Sequence, residues 1–269
     1  MSEDSIEITT PEESVPVESP RERLSIPETL IGVIIHPYRT FERMRTAERG
    51  HWWIVAVLAA LLAVVGVIAT SRITMAASEE ELRRALDMDG DGELTGTELE
   101  TFEQAQTFAT NPVFTVALPA IGGLIGLALG YAVRGGVLFL LGMALGGRTR
   151  FGPVFRMAVW TTLPDVVRSL LSATVTLVTG RIPASGLSAV MTSAEASAAP
   201  VVSAFLSGID FYTVWGLALI ALGMAATAQM SKGKGAVVAL IWWALVTLVS
   251  VGMVALSLLL ASQMGFAAG

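Results

Sequence analysis

Long apolar runs dominate this sequence, and they decide the solvent in which it folds. They cover about Trp52 to Met75, Asn111 toward Leu145, Phe155 to Val178, Phe211 to Met230 and Ala236 to Gln263. Each is about 18 residues or longer, enough to carry an α-helix through roughly 30 Å of hydrocarbon. Lipid offers no water to backbone N–H and C=O groups, so such a segment satisfies them within its own helix. The expected fold class is therefore all-α, a five-span transmembrane helix bundle. The second run is too long for one span and too short for two, and Arg134-Gly135-Gly136 interrupts it. One long helix whose end tilts or leaves the bilayer accommodates it; six spans or a re-entrant segment is the alternative.

Hydrophobic residues are 53% of the chain and charged residues 15%, with a mean hydropathy of +0.66, as a chain folded in lipid requires. The net charge of −6 comes from acidic residues at the N-terminus and in the first inter-span loop. No basic surplus points to nucleic acid as a partner. Cysteine is absent, which excludes disulfides and thiolate metal sites. The two histidines, His36 beside Pro37 and His51 beside Trp52, both look interfacial. No zinc-ligand spacing, nucleophile elbow or Walker loop is present, so the chain is not expected to be an enzyme.

Residues 1–25 are polar and acidic, with Pro11, Pro16 and Pro20, and read as a disordered tail. They lack the basic start and apolar core of a signal peptide. Residues 26–50 are amphipathic: Leu30, Val33, Ile34, Phe41 and Met44 alternate with Arg39, Arg43, Arg45 and Arg49. Such a segment is expected to lie in the headgroup region. The first span then takes residues 51–76, a helix-loop-helix residues 77–110, and spans two to five residues 111–266. The Lys/Arg bias sets the orientation. Arg39, Arg43, Arg45, Arg49, Arg148, Arg150, Arg156, Lys232 and Lys234 all fall on one side of a five-span model. The N-terminus is therefore expected in the cytoplasm, with the 77–110 loop and the C-terminus outside it. The six tryptophans mostly sit near expected span ends, like an interfacial belt.

The 77–110 loop contains a twelve-residue EF-hand pattern from Asp87 to Glu98. Calcium takes six to eight oxygens, which such a loop supplies from fixed positions. Asp87, Asp89 and Asp91 stand at positions 1, 3 and 5, and Gly92 at the turn position 6. Glu93 offers its carbonyl, Thr95 ligates directly or through water, and Glu98 is the bidentate ligand. Ser78-Glu79-Glu80-Glu81 reads as the capping start of the entering helix, and Thr95 with Glu98 as that of the exiting one. Ca2+ is the cofactor this pattern implies; an acidic, glycine-rich surface turn is the plain alternative. There is no second loop to pair with. A lone hand is expected to bind weakly, on the order of 0.1–1 mM, or to pair across a dimer.

Within the spans, Asp165 and Arg168 lie at i, i+3 just after Pro164, and Arg134 is another partner for Asp165. Ionisable groups at that depth are costly and face a partner or a wet cavity, so a structural pair and an ion or substrate pathway both fit. Gly122, Gly126 and Gly130 recur every four residues, which suits packing within the bundle or a homodimer seam. Asp210 is placed to cap the fourth span.

Several segments resemble prokaryotic Yip-family membrane proteins. They are Glu28-Thr-Leu-Ile-Gly-Val-Ile-Ile-His-Pro37-Tyr-Arg-Thr-Phe41 before a Trp-led span, and Gly146-Gly-Arg-Thr-Arg-Phe151 followed by Val159-Trp-Thr-Thr-Leu-Pro164. The run Ile209-Asp-Phe-Tyr-Thr-Val-Trp-Gly216-Leu-Ala-Leu-Ile-Ala-Leu-Gly223 and the Ser231-Lys-Gly-Lys234 hinge complete the likeness. It covers nearly everything from about Ile26 onward except the EF-hand insert. The eukaryotic relatives are Rab/Ypt-interacting proteins; their Asp-Leu-x-Gly-Pro signature is missing here, and Asn111-Pro-Val-Phe114 stands nearest to its place. The resemblance implies an integral membrane protein in the lipid bilayer and names no protein partner. Three roles follow from the residues: an organising or adaptor protein with a calcium-stapled loop, a small-solute transporter or channel component using Asp165, Arg168 and Arg134, and a calcium-responsive sensor.

Overall fold

The computed structural model describes residues 25–47, 51–87, 92–109 and 111–263. Every regular element among them is helical. Of the expected N-terminal tail, residues 1–24 lie outside the described residues, and Ser25 belongs to the start of the first helix.

Helix α1 (Ile26–Ile35) starts at a capping box. The Glu28 carboxylate accepts from the Ser25 N–H at 3.0 Å, and the Ser25 hydroxyl accepts from the Glu28 N–H at 3.4 Å. The bond from the Ser25 backbone favours the charged form and holds the Glu28 carboxyl below its usual range. Pro37 then pushes His36 out of helical geometry and opens α2 (Pro37–Thr46), whose first turn does not need the missing N–H.

Helix α3 (Trp52–Leu86) is one unbroken element. Ser78-Glu79-Glu80-Glu81 lies inside it, so the entering helix of the loop has no start of its own, contrary to the expectation. Nothing in that stretch breaks a helix, and the i, i+4 pair of Arg84 with Glu80 at 2.9 Å supports its continuation. After the loop, α4 (Thr97–Ala109) folds back on α3, burying Phe102 beneath Arg83.

A π turn, Val113–Ala117, runs into α5 (Leu118–Ala144) without a break. Pro119 lacks an N–H to donate, and the wider i→i+5 bond from Leu118 to Val113 lies just ahead of it. Arg134-Gly135-Gly136 does not interrupt this helix. Gly135 instead admits the Phe155 side chain of α6 (Phe151–Trp160), which a Cβ would meet at 2.8 Å. Gly122, Gly126 and Gly130 pack against nothing: a Cβ on any of them meets no atom within 4 Å. The reading of this stripe as a packing seam within the bundle is thereby corrected.

The expected third span is two helices, α6 and α7 (Leu163–Thr179), broken at Thr161-Thr162. Pro164 explains the break, since its ring cannot follow a helical turn but suits the start of one. Short helices α8 (Ser193–Ala198) and α9 (Pro200–Ser207) lead to α10 (Phe211–Thr227), bent from α9 by 54°. The last helix is α11 (Lys232–Gln263). Three helical segments among the described residues are long and apolar enough to cross a membrane, and a fourth if α9 and α10 form one span. The five-span expectation is thus supported for three or four.

Helix α10 lies at the centre, packed against α2, α6, α7 and α11. Phe41 and Met44 of α2 are fully buried. Helix α2 is therefore docked on the bundle by its apolar face, while Ile31, Ile34 and Ile35 of α1 stay exposed. Trp160 is also fully buried, and so does not belong to an interfacial belt.

Gly235 sets the contact of α11 with α10. A Cβ there would collide with the Ala221 carbonyl and lie 3.2 Å from the Ala225 nitrogen, both backbone atoms. Gly235→Ala is expected to lower stability by about 1–3 kcal/mol through overpacking. At Gly233 a Cβ meets nothing within 4 Å. Thermal unfolding in detergent should separate the two substitutions, with Gly233→Ala leaving Tm unchanged or higher.

Candidate functional site

Four ionisable side chains from three helices meet inside the bundle. Arg134 comes from α5, Asp165 and Arg168 from α7, and Asp210 from the N-cap of α10. Arg134 is ten residues from Ala144, the end of α5, or about 15 Å along the helix at 1.5 Å per residue. The break before α7 and the bend before α10 bring two helix N-termini to this level. Asp165 sits in the first turn of α7 and Asp210 at the cap of α10, so each carboxylate faces the positive end of a helix.

The pairing differs from the sequence expectation in emphasis. The Asp165–Arg168 contact exists at 3.7 Å and the Asp165–Arg134 contact at 3.9 Å. Neither is within hydrogen-bond distance. The short contact is from Arg168 Nη2 to Asp210 Oδ1, at 2.7 Å. The same oxygen accepts from the Thr213 N–H at 2.7 Å, and Arg168 donates to the Thr213 hydroxyl at 3.1 Å. Asp210 thus does cap α10, and it also ties α10 to α7. Arg134 donates to the carbonyl and the hydroxyl of Thr161 at 3.2 and 3.0 Å, at the break between α6 and α7. Its guanidinium lies over the Trp242 ring and that of Arg168 over Tyr212.

Two guanidiniums against two carboxylates leave the cluster formally neutral, which is what makes it tolerable at this depth. A cavity of about 240 Å³ adjoins it, bounded by Arg134, Asp165, Arg168, Thr213, Trp242 and Ser250. The Asp165 side chain is half exposed, whereas that of Asp210 is 14% exposed. Asp210 is structural in its bonding, and Asp165 is the carboxylate left to meet something else.

The acidic loop stands at the far end of α3. Asp87 closes that helix, Asp89 and Asp91 lie outside the described residues, and Gly92 is left-handed at φ +82°. The Gly92 N–H donates to Asp87 Oδ2 at 3.1 Å, drawing position 6 of the loop onto position 1. Glu98 Oε2 accepts from the Thr95 N–H at 3.4 Å, the reaching-back half of the expected capping box. Glu93 follows the turn, and Glu98 lies in the first turn of α4. The described residues bring no three His, Cys, Asp or Glu side chains together as a metal group.

Sequence reasoning missed Thr161, Thr213 and Trp242, and it read Asp210 only as a cap. Asp210 had a signal: a capping carboxylate has lone pairs to spare, and an arginine in another span needed an anion. Which arginine it was depends on the bend between α9 and α10.

An all-helical chain with several membrane-length helices and a neutralised charge cluster between them is a multi-pass integral membrane protein. The model of the Yip1 domain family matches residues 31–254, and the chain belongs to that family. No curated protein and no solved structure matches it.

Proposed function

We propose that this chain is a membrane-organising or adaptor protein of Yip type, without enzymatic activity, whose loop between the first two spans binds Ca2+ as a structural staple. The observation that supports the reading is the bond from the Gly92 N–H to Asp87, with Gly92 left-handed. Asp87, Asp89, Asp91, Glu93, Thr95 and Glu98 are the ligands it uses. The burial of Phe102 on α3 favours a staple over a sensor, which would expose an apolar groove on binding.

The basic residues support a cytoplasmic N-terminus. Arg156 donates to the Ala47 carbonyl at 2.9 Å, Lys234 to the Leu145 carbonyl at 2.8 Å, and the Arg148 N–H to the Ala228 carbonyl at 2.8 Å, so one end of the bundle gathers them. That end is cytoplasmic, and the acidic loop and the C-terminus lie outside, with α6–α7 and α9–α10 as broken third and fourth crossings. The motifs around Pro37, Arg150 and Asp210 support a reading among the prokaryotic members. The bare glycine face of α5 is where a second copy would pack.

Calorimetric titration of the full-length protein in detergent tests the calcium reading. Binding on the order of 0.1–1 mM is expected, weakened at least about tenfold in Glu98→Gln, because the bidentate ligand is lost. No calcium-dependent heat, or heat that Glu98→Gln leaves unchanged, returns the loop to an acidic turn.

The cavity beside Asp165 favours a second reading, a pathway for small ions or solutes. In proteoliposomes Asp165→Asn is then expected to abolish flux, with only a modest fall in Tm, because the cluster loses its neutrality but no hydrogen bond. A fall in Tm without any flux to lose makes Asp165 a structural partner only.

A further inference from the structure

A second basic site lies at the end of the bundle where α2, α6 and α10 meet. Arg45 of α2 and Arg148 and Arg150 of the turn before α6 line a concavity of about 390 Å³ with Thr149, Pro153 and Thr227. Among the described residues no carboxylate lines it. Among the described residues these three guanidiniums make no ion pair, and Arg45 Nε is buried without a hydrogen-bond partner. The charges are held together by the backbone: the Arg148 N–H is fixed on the Ala228 carbonyl at 2.8 Å, and Gly146, at φ +80°, turns the chain out of α5 toward α6.

Helix α6 begins in the same place. Arg150 is its N-cap but makes no side-chain capping bond, and a Cβ on Gly152, in the first turn, meets nothing within 4 Å. The positive end of the helix is therefore open beside the three cations. Like charges that line one concavity repel one another, and an anion relieves that repulsion. Guanidinium forks fit the oxygens of phosphate bidentately, and a concavity among helices near the membrane surface suits a headgroup. Phe41 and Met44, on the same helix as Arg45, are buried in the bundle, which holds α2 and its arginine at that surface.

We propose that Arg45, Arg148 and Arg150 form a binding site for a phosphate group, presented by the headgroup of an anionic phospholipid or by a soluble phosphate ester. The site is separate from the Arg134–Asp165–Arg168 cluster and does not depend on calcium binding.

Native mass spectrometry of the full-length protein in detergent, titrated with phosphatidylglycerol and with phosphatidylcholine, tests it. The wild type is expected to prefer phosphatidylglycerol. Arg148→Gln/Arg150→Gln, both exposed positions, is expected to weaken that preference about ten- to thirtyfold, at roughly 1 kcal/mol per cation near the surface. Arg45→Gln should weaken it as well. Arg39→Gln, the same charge change on α2 outside the concavity, should retain it. A preference that survives in the double variant, or that falls equally in Arg39→Gln, overturns the proposal. Competition with glycerol 3-phosphate separates the sources: displacement of the lipid assigns the site to a free phosphate ester, and an unshifted lipid preference assigns it to the headgroup. Binding of neither probe overturns it.

Discussion

Asp210→Ala is expected to destabilise the protein by about 3–5 kcal/mol, the cost of leaving a partly buried arginine without its counter-charge. Asp210 accepts from Arg168 and from the Thr213 N–H through one oxygen, at 2.7 Å each. Its removal uncaps α10 and cuts the tie between α7 and α10 together. Asp210→Asn keeps a capping oxygen and loses the charge, so it should fall between alanine and wild type, the cap alone being worth about 1 kcal/mol. Thermal unfolding in a fixed detergent, with membrane abundance measured alongside, gives the ranking. Equal stability of alanine and wild type would mean that Arg168 finds its compensation in Asp165 instead, which the 3.7 Å separation argues against.

The second large effect is expected at Arg134. Its guanidinium spans the break between α6 and α7 by bonding to Thr161 and covers the face of Trp242. Arg134→Ala removes the charge-assisted bonds, at about 1.5–3 kcal/mol, and a desolvated cation–π contact of up to about 2 kcal/mol. The sum is not additive, so a loss of about 2–4 kcal/mol is the expected range. Arg134→Lys retains the charge but not the planar fork, and should recover less than half. Tryptophan emission checks the local part: the shift seen in Arg134→Ala should vanish when Trp242 is also replaced by Phe. A shift that persists in the double variant would place its origin at another tryptophan.

What could be read from the sequence was whatever depends on a residue's near neighbours in the chain. The apolar runs announced helices in lipid, and α3, α5 and α11 follow them within a few residues at most ends. The capping residue Asp210 does cap α10, whereas Ser25, read as the end of a disordered tail, caps α1. Gly92 adopts the left-handed turn its loop position asks for. The third run read as one helix, and the structure breaks it in two, because hydropathy averages over Pro164 whereas the backbone cannot. Ser78-Glu79-Glu80-Glu81 misled because a capping box and an exposed helix interior share the same residue types. Only flanking geometry separates them. The glycines of α5 misled for a related reason: small residues permit close approach, but the partner has to come from elsewhere in the fold, and here Phe155 came to Gly135 and Met224 to Gly142. The cluster was legible as three residues and not as four, because Asp210 reaches it only through the bend between α9 and α10.

The continuity of α3 has a mechanical meaning. Its 35 residues make a rod of about 52 Å, against roughly 30 Å of hydrocarbon. Some 20 Å of it therefore stands clear of the bilayer with no joint at the boundary. α4 lies against that projecting end, and α5, α6 and α7 grip the embedded part. Leu86 and Trp52 therefore belong to one stiff element, and the loop after α3 is coupled to the helices packed around it with no hinge between them.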